Sequence, residues 1–183
     1  MKISSWRRID DNAIPARGKI AGAYVNTALA KTEAQRAGFD DAIFLDQNGH
    51  VSEASAANLF MVRNGSVLTP PLTDNILEGI TRRTLIELLR EDLGIPVLER
   101  SIDRTELSLA QEVFLAGTGV QVVSVTRIDH RPVGDGRMGP ITESLRKLNS
   151  SIVHGEVPAY RRWCWPVYAH EESYGRVAAE GRR

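Results

Sequence analysis

Lys19 lies in Gly18-Lys19-Ile20-Ala21-Gly22-Ala23-Tyr24, an amine among residues small enough to leave room for a planar ring. A lysine in this setting is either a solvated side chain or a nucleophile for a carbonyl carbon. About one helical turn further on, Tyr24 carries a phenol that could hydrogen-bond an aromatic hydroxyl beside an imine; its other reading is a core tyrosine with its hydroxyl at the surface. Glu53 closes Val51-Ser52-Glu53 and leads into Ala54-Ser55-Ala56-Ala57, with no charge partner in the local sequence. It is either an exposed strand-end carboxylate or a buried one that needs a cation from elsewhere. Leu77-Glu78-Gly79-Ile80-Thr81-Arg82 joins a glycine to free N–H groups at a helix start and adds the Thr81 hydroxyl. That combination suits a phosphate, and an ordinary N-cap uses the same residues. Gly117-Thr118-Gly119-Val120 is a further small-residue turn where backbone can approach an anion closely, a weak signal alone.

The elements that must hold these residues follow from periodicity. Residues 20–37 contain no proline and one glycine, and Tyr24, Val25, Ala28, Leu29 and Thr32 fall near helical spacing, so a helix is predicted just after Lys19, with Gly38 as its C-cap. Ala42–Asp46, Asn48-Gly49 and His50–Glu53 read as a hairpin. Asn58–Val62, Asn64-Gly65 and Ser66–Thr69 repeat that pattern, which predicts an antiparallel meander. Pro70-Pro71 ends it, and a loop from Leu72 to Gly79 delivers the chain to a helix starting at Ile80 and ending near Gly94. Strands are then expected at 96–100, 113–116 and within 120–128, a short helical turn at 105–110, and a last helix from Pro140 to about Val153. The charged residues 169–183 read as a disordered tail behind one domain, 1–168.

Composition excludes several function classes. Lys plus Arg and Asp plus Glu both number 23, so no net positive field exists to hold nucleic acid or an anionic membrane. A single cysteine, Cys164, makes no internal disulfide, and neither it nor the four histidines has metal-ligand spacing, so no metal is expected. No apolar run approaches the roughly 20 residues that cross a bilayer, and the N-terminus lacks a signal-peptide core; a soluble cytoplasmic protein is expected. The glycine motifs of nucleotide P-loops and dinucleotide folds are absent.

The ordered set Lys19, Tyr24, Glu53, Asn58-Leu59-Phe60, Leu77–Arg82 and Gly117-Thr118 resembles the class IV pyridoxal-phosphate aminotransferases. Residues 38–53 carry the family's character, and Thr73–Arg82 resembles the branched-chain amino acid group in particular. The resemblance implies an α/β fold, the large cofactor-binding domain of the D-amino acid aminotransferase-like (fold type IV) enzymes. It implies a homodimer that moves the amino group of leucine, isoleucine or valine to 2-oxoglutarate. Lys19 would bind pyridoxal 5'-phosphate covalently and act as the catalytic base, Glu53 would meet the ring nitrogen, and Tyr24 the ring hydroxyl. Leu77 would pack on the ring, while Gly79, Ile80, Thr81 and Thr118 would hold the phosphate. Gly119 and Val120 would offer backbone groups to the substrate carboxylate.

Two departures temper those expectations. Family members carry a smaller N-terminal domain, about a hundred residues on the usual domain scale, with a phosphate-binding arginine and part of the substrate pocket. Lys2–Arg8 already reads as the large domain's first strand, so a fragment with weak or no activity alone is expected. Gly119-Val120 stands where many relatives have two alanines. Rival readings are a D-amino acid or (R)-amine transaminase, an aminodeoxychorismate lyase, and a fragment that holds no cofactor.

Overall fold

The computed structural model describes residues 1–165. The chain divides into a compact unit at Met1–Lys147 and a second at Leu148–Arg183; the expected tail at 169–183 lies outside the described residues. The first unit contains every candidate cofactor- and substrate-binding residue named above.

The strands are β1 (Lys2–Arg7), β2 (Ala42–Leu45), β3 (Val51–Ala54), β4 (Asn58–Arg63), β5 (Ser66–Thr69), β6 (Val97–Glu99), β7 (Glu112–Gly117) and β8 (Gln121–Ser124), joined in one sheet, with β9 (Arg127–Ile128) and β10 (Arg131–Pro132) as a small hairpin. The helices are α1 (Tyr24–Arg36), α2 (Ile80–Glu91) and α3 (Pro140–Val153). Among the described residues no helix is long and apolar enough to cross a membrane.

Both sequence hairpins form. Gly49 turns β2 into β3 at φ 91°, and Asn64 and Gly65 turn β4 into β5 at φ 50° and 74°, the left-handed pair that such a two-residue turn requires. The meander is only partial, however. β1 runs parallel to β2 and β6 parallel to β5, and β3 meets β4 at the single pair Glu53–Asn58. The longer partner of β4 is β7, in antiparallel register from Asn58–Ala116 to Val62–Glu112. Both strands are apolar on both faces because helices and loops cover both sides. At their centre Phe60 and Phe114 stack with ring centroids 4.9 Å apart.

Helix α1 starts later than its periodicity suggests. Ala21–Ala23 forms a 3-10 turn and the α-helix begins at Tyr24. Its buried face is small, Thr27, Ala30 and Ala34, and the two alanines cluster with Ala42 and Phe44 of β2. Helix α2 buries Leu85, Leu88 and Leu89 completely. The loop before it holds a short 3-10 turn at Leu72–Asp74, and Asn75 reverses the chain at φ 58°.

Helix α3 begins where Gly139 permits it. A Cβ there would overlap the Glu112 carboxyl, which accepts the N–H groups of Ile141 and Thr142 at 3.0 and 2.8 Å and the Thr142 hydroxyl at 2.6 Å. An acidic group at the positive end of a helix is favourable placement.

Candidate functional site

The end of β1 delivers Arg8, β3 delivers Glu53, β4 opens on Asn58, and the β5–α2 loop passes behind them. Glu53 is 5% exposed and Arg8 8%. The Arg8 guanidinium contacts one Glu53 oxygen at 2.7 Å and donates a second bond, 3.0 Å, to the Asn75 carbonyl. The other Glu53 oxygen accepts the Asn58 amide and the Leu77 N–H, each at 3.0 Å. Asn58 also donates to the Leu77 carbonyl at 2.9 Å. Burial, the largest influence, pushes the Glu53 carboxyl up from its ordinary value; the Arg8 charge and the Leu77 N–H oppose it. The outcome is a carboxyl fixed in orientation and suited to share a proton with a basic nitrogen placed beside it.

This cluster forms part of a cavity of about 300 Å³. Lys19 lines it from the segment before α1 and Tyr24 from the first residue of α1, Leu77, Gly79, Ile80 and Thr81 from the loop and first turn of α2, and Thr118 from just beyond β7. Among the described residues no side chain caps the first turn of α2, so its early N–H groups remain available to an anion. Gly79 is required here, since a Cβ would overlap the Asn58 amide oxygen. Ser55 Oγ, on a residue 5% exposed in the cavity wall, has no hydrogen-bond partner among the described residues. Lys19 is exposed and, among the described residues, its amine has no hydrogen-bond or ion-pair partner.

Eight residues expected from sequence therefore share one cavity. Gly119 and Val120 sit one step outside, on the exposed turn between β7 and β8, and do not line it. Sequence reasoning required a cation for Glu53 without finding it. Arg8 is distant in sequence, and only the parallel pairing of β1 with β2 brings it close. The role of Asn58 was missed as well, although its amide bridges the Glu53 carboxyl of β3 and the Leu77 carbonyl of the α2 loop. Arg17 also lines the cavity, with a half-exposed guanidinium held loosely by Asp11 at 3.8 Å.

A family model for amino-transferase class IV matches residues 1–128. The "Probable branched-chain-amino-acid aminotransferase" of Aquifex aeolicus is 51% identical over 167 residues, 91% of this chain and 54% of that protein. The crystal structure of Thermobaculum terrenum branched-chain amino acid aminotransferase in its PLP form superposes with a TM-score of 0.87 at 43% identity, over 88% of this chain and 53% of that one. The branched-chain aminotransferase of the archaeon Thermoproteus uzoniensis, solved with norvaline, gives 0.87 at 43% identity, over 91% and 55%. The chain spans about half the length of the curated relatives it matches.

Proposed function

The chain belongs to the class IV aminotransferase family, and from that premise we propose that it is the pyridoxal-phosphate-binding part of a branched-chain amino acid aminotransferase, acting in the cytoplasm as a homodimer. The observation that carries this reading is one cavity holding an unpaired lysine, a carboxylate fixed by three donors and an uncapped helix N-terminus. Those are the amine, the anion and the phosphate cradle that the cofactor's aldehyde, ring nitrogen and phosphate require.

Bound there, pyridoxal phosphate would supply an electron sink for the charge that develops at the substrate Cα. The protein's own groups do the rest. Glu53 holds a proton at the ring nitrogen, and Arg8, Asn58 and the Leu77 N–H keep its carboxyl from turning away. Tyr24 presents its phenol to the ring hydroxyl, and Leu77 covers a ring face. Ile80 and Thr81 bind phosphate through the N–H groups of the first turn, with the hydroxyls of Thr81 and Thr118 as further donors. Ser55 Oγ is an unused donor in the same wall. Lys19 would hold the cofactor through its aldehyde carbon, and its free amine would take the proton from the substrate Cα. Gly119 and Val120, on the turn just beyond the cavity, offer N–H groups to the substrate carboxylate. Leucine, isoleucine or valine as donor fits the relatives' names, and 2-oxoglutarate is the acceptor that the family resemblance implies. Balanced charge and a single cysteine fit the cytoplasm. Apolar side chains at Val25, Leu29 and Ile80, 64%, 48% and 74% exposed, are suited to a partner subunit.

The test is covalent. Mixing the purified chain with pyridoxal phosphate, reducing with borohydride and mapping peptides should place the tag on Lys19. Tagging at Lys31 or Lys147 instead would refute the assignment.

A further inference from the structure

Away from the cavity, a second group of side chains with donor chemistry converges behind the β5–α2 loop. Asp46 follows β2, His50 precedes β3 across the turn, and Asp74 ends the 3-10 turn at Leu72–Asp74. One potential ligand atom from each lies within 4.8 Å of the other two. Asp46 and Asp74 are 2% and 4% exposed, and the His50 side chain is 34% exposed. The group therefore has a buried floor and a rim open to solvent.

Hydrogen bonding leaves part of this group unused. Asp46 Oδ1 accepts the N–H groups of Asn48 and His50 at 2.9 and 2.8 Å, while its Oδ2 has only a long contact, 3.4 Å, to the Asn48 amide. Asp74 Oδ1 accepts the Ser101 hydroxyl at 3.1 Å, but Asp74 Oδ2 is sealed from water with no hydrogen-bond partner among the described residues. The His50 ring nitrogens stand 3.8 Å from Asp46 and 3.7 Å from Asp103, too far for hydrogen bonds. A buried carboxylate oxygen without a donor is rare and costly, and in native proteins it calls for an ion, a water or a proton. Burial first, and the neighbouring Asp46 charge as well, push the Asp74 carboxyl up, opposed by Ser101 and His50.

We propose that Asp46, His50 and Asp74 form a three-ligand site for a divalent transition cation of the Zn²⁺ or Mn²⁺ type. One imidazole nitrogen with two carboxylate oxygens is a donor set such ions accept, and water can complete the coordination from the open rim. The expectation of no metal weighed only cysteine and histidine spacing; the site needs a hairpin and a loop that meet only in the fold. Its role is to clamp that loop from behind. Asn75, the residue after Asp74, gives its carbonyl to Arg8, and Leu77 gives its N–H to Glu53. An ion here therefore braces the backbone that orients the cavity carboxylate.

The experiment is a titration of the chelator-treated, cofactor-free full chain with Zn²⁺ and, separately, Mn²⁺, read by calorimetry and by thermal unfolding. One ion should bind per chain and raise Tm, because only the folded state presents the site. Asp74→Asn and His50→Gln should each weaken binding at least about tenfold with an unchanged circular dichroism spectrum. Should Asp74→Asn fail to fold, His50→Gln, at the exposed rim, still decides. Binding of neither ion, or unchanged affinity in His50→Gln, overturns the proposal. So does a chain that ignores both ions and is stabilised by Asp74→Asn, since a proton would then be what Asp74 holds.

Discussion

Arg8 and Glu53 form an ion pair of 2.7 Å in which both side chains are less than a tenth exposed. Removing one member of such a pair strands the other charge, so Arg8→Met is expected to cost about 3–5 kcal/mol of stability. Adding Glu53→Leu to it should recover a large part of that loss. Urea unfolding of the two singles and the double, as a cycle, measures the coupling; strict additivity would mean that the pair contributes nothing jointly.

Glu53→Gln keeps the shape of the carboxyl but removes the charge that holds a proton at the cofactor's ring nitrogen. Retention of pyridoxal phosphate is expected to fall only a few-fold, because the Lys19 bond and the helix N-terminus remain. Leucine transamination, measured in a chain that includes the family's N-terminal domain, should fall at least about a hundredfold. Parallel losses in binding and turnover would reassign Glu53 to a purely structural role.

Gly79→Ala sets a methyl group against the Asn58 amide. Asn58 must yield, and with it one donor to Glu53 and the start of α2. Overpacking of this kind costs roughly 1–3 kcal/mol. The Tm should drop, and inorganic phosphate should bind more weakly than to the parent chain. A Gly79→Ala protein with unchanged phosphate affinity would show that the anion is not held at this helix start.

Glu106 governs acid stability. Bonded first of all by Arg100, at 2.9 and 2.7 Å, it is drawn down from 4.5 to about 2. A depressed folded value means that the unfolded chain takes up the proton first. The contribution is therefore complete above about pH 4.5 and lost as pH falls toward 2. Arg100 is 44% exposed and screened by solvent, which limits the effect to about 1 kcal/mol. The stability gap between the parent and Glu106→Gln should be constant from pH 7 to 5 and shrink steadily from pH 4.5 to 3. A gap that stays constant to pH 3 would mean that Glu106 is not the group being titrated.

Features set by short stretches of chain were readable in advance. The Asn64-Gly65 turn, the start of α2 after Gly79 and the Pro140 helix start depend on neighbouring residues, and each appears where the pattern places it. What pairs at long range was not. Nothing near Glu53 announces Arg8, and nothing in the Val113–Ala116 run says that it inserts beside β4 rather than beside the preceding strand, β6. The early turn of α1 was misjudged because Ala21, Gly22 and Ala23 satisfy helical spacing yet bury nothing, so no packing energy draws them into the α-helix. The cavity residues were recognisable through their family pattern; the hydrogen bonds that orient them came only with the coordinates.

The pairing of β4 with β7 also sets an order of events on the ribosome. Residues 58–63 emerge early, yet the neighbour that covers one of their edges is residues 112–117. Until that later stretch leaves the exit tunnel, Leu59, Phe60 and Met61 belong to a strand with an open edge. Such an edge is a template for pairing with other nascent chains. The same late arrival supplies Thr118 to the cavity, so the ability to hold a phosphate and the protection of the β4 edge are acquired together, once residues 112–118 have emerged.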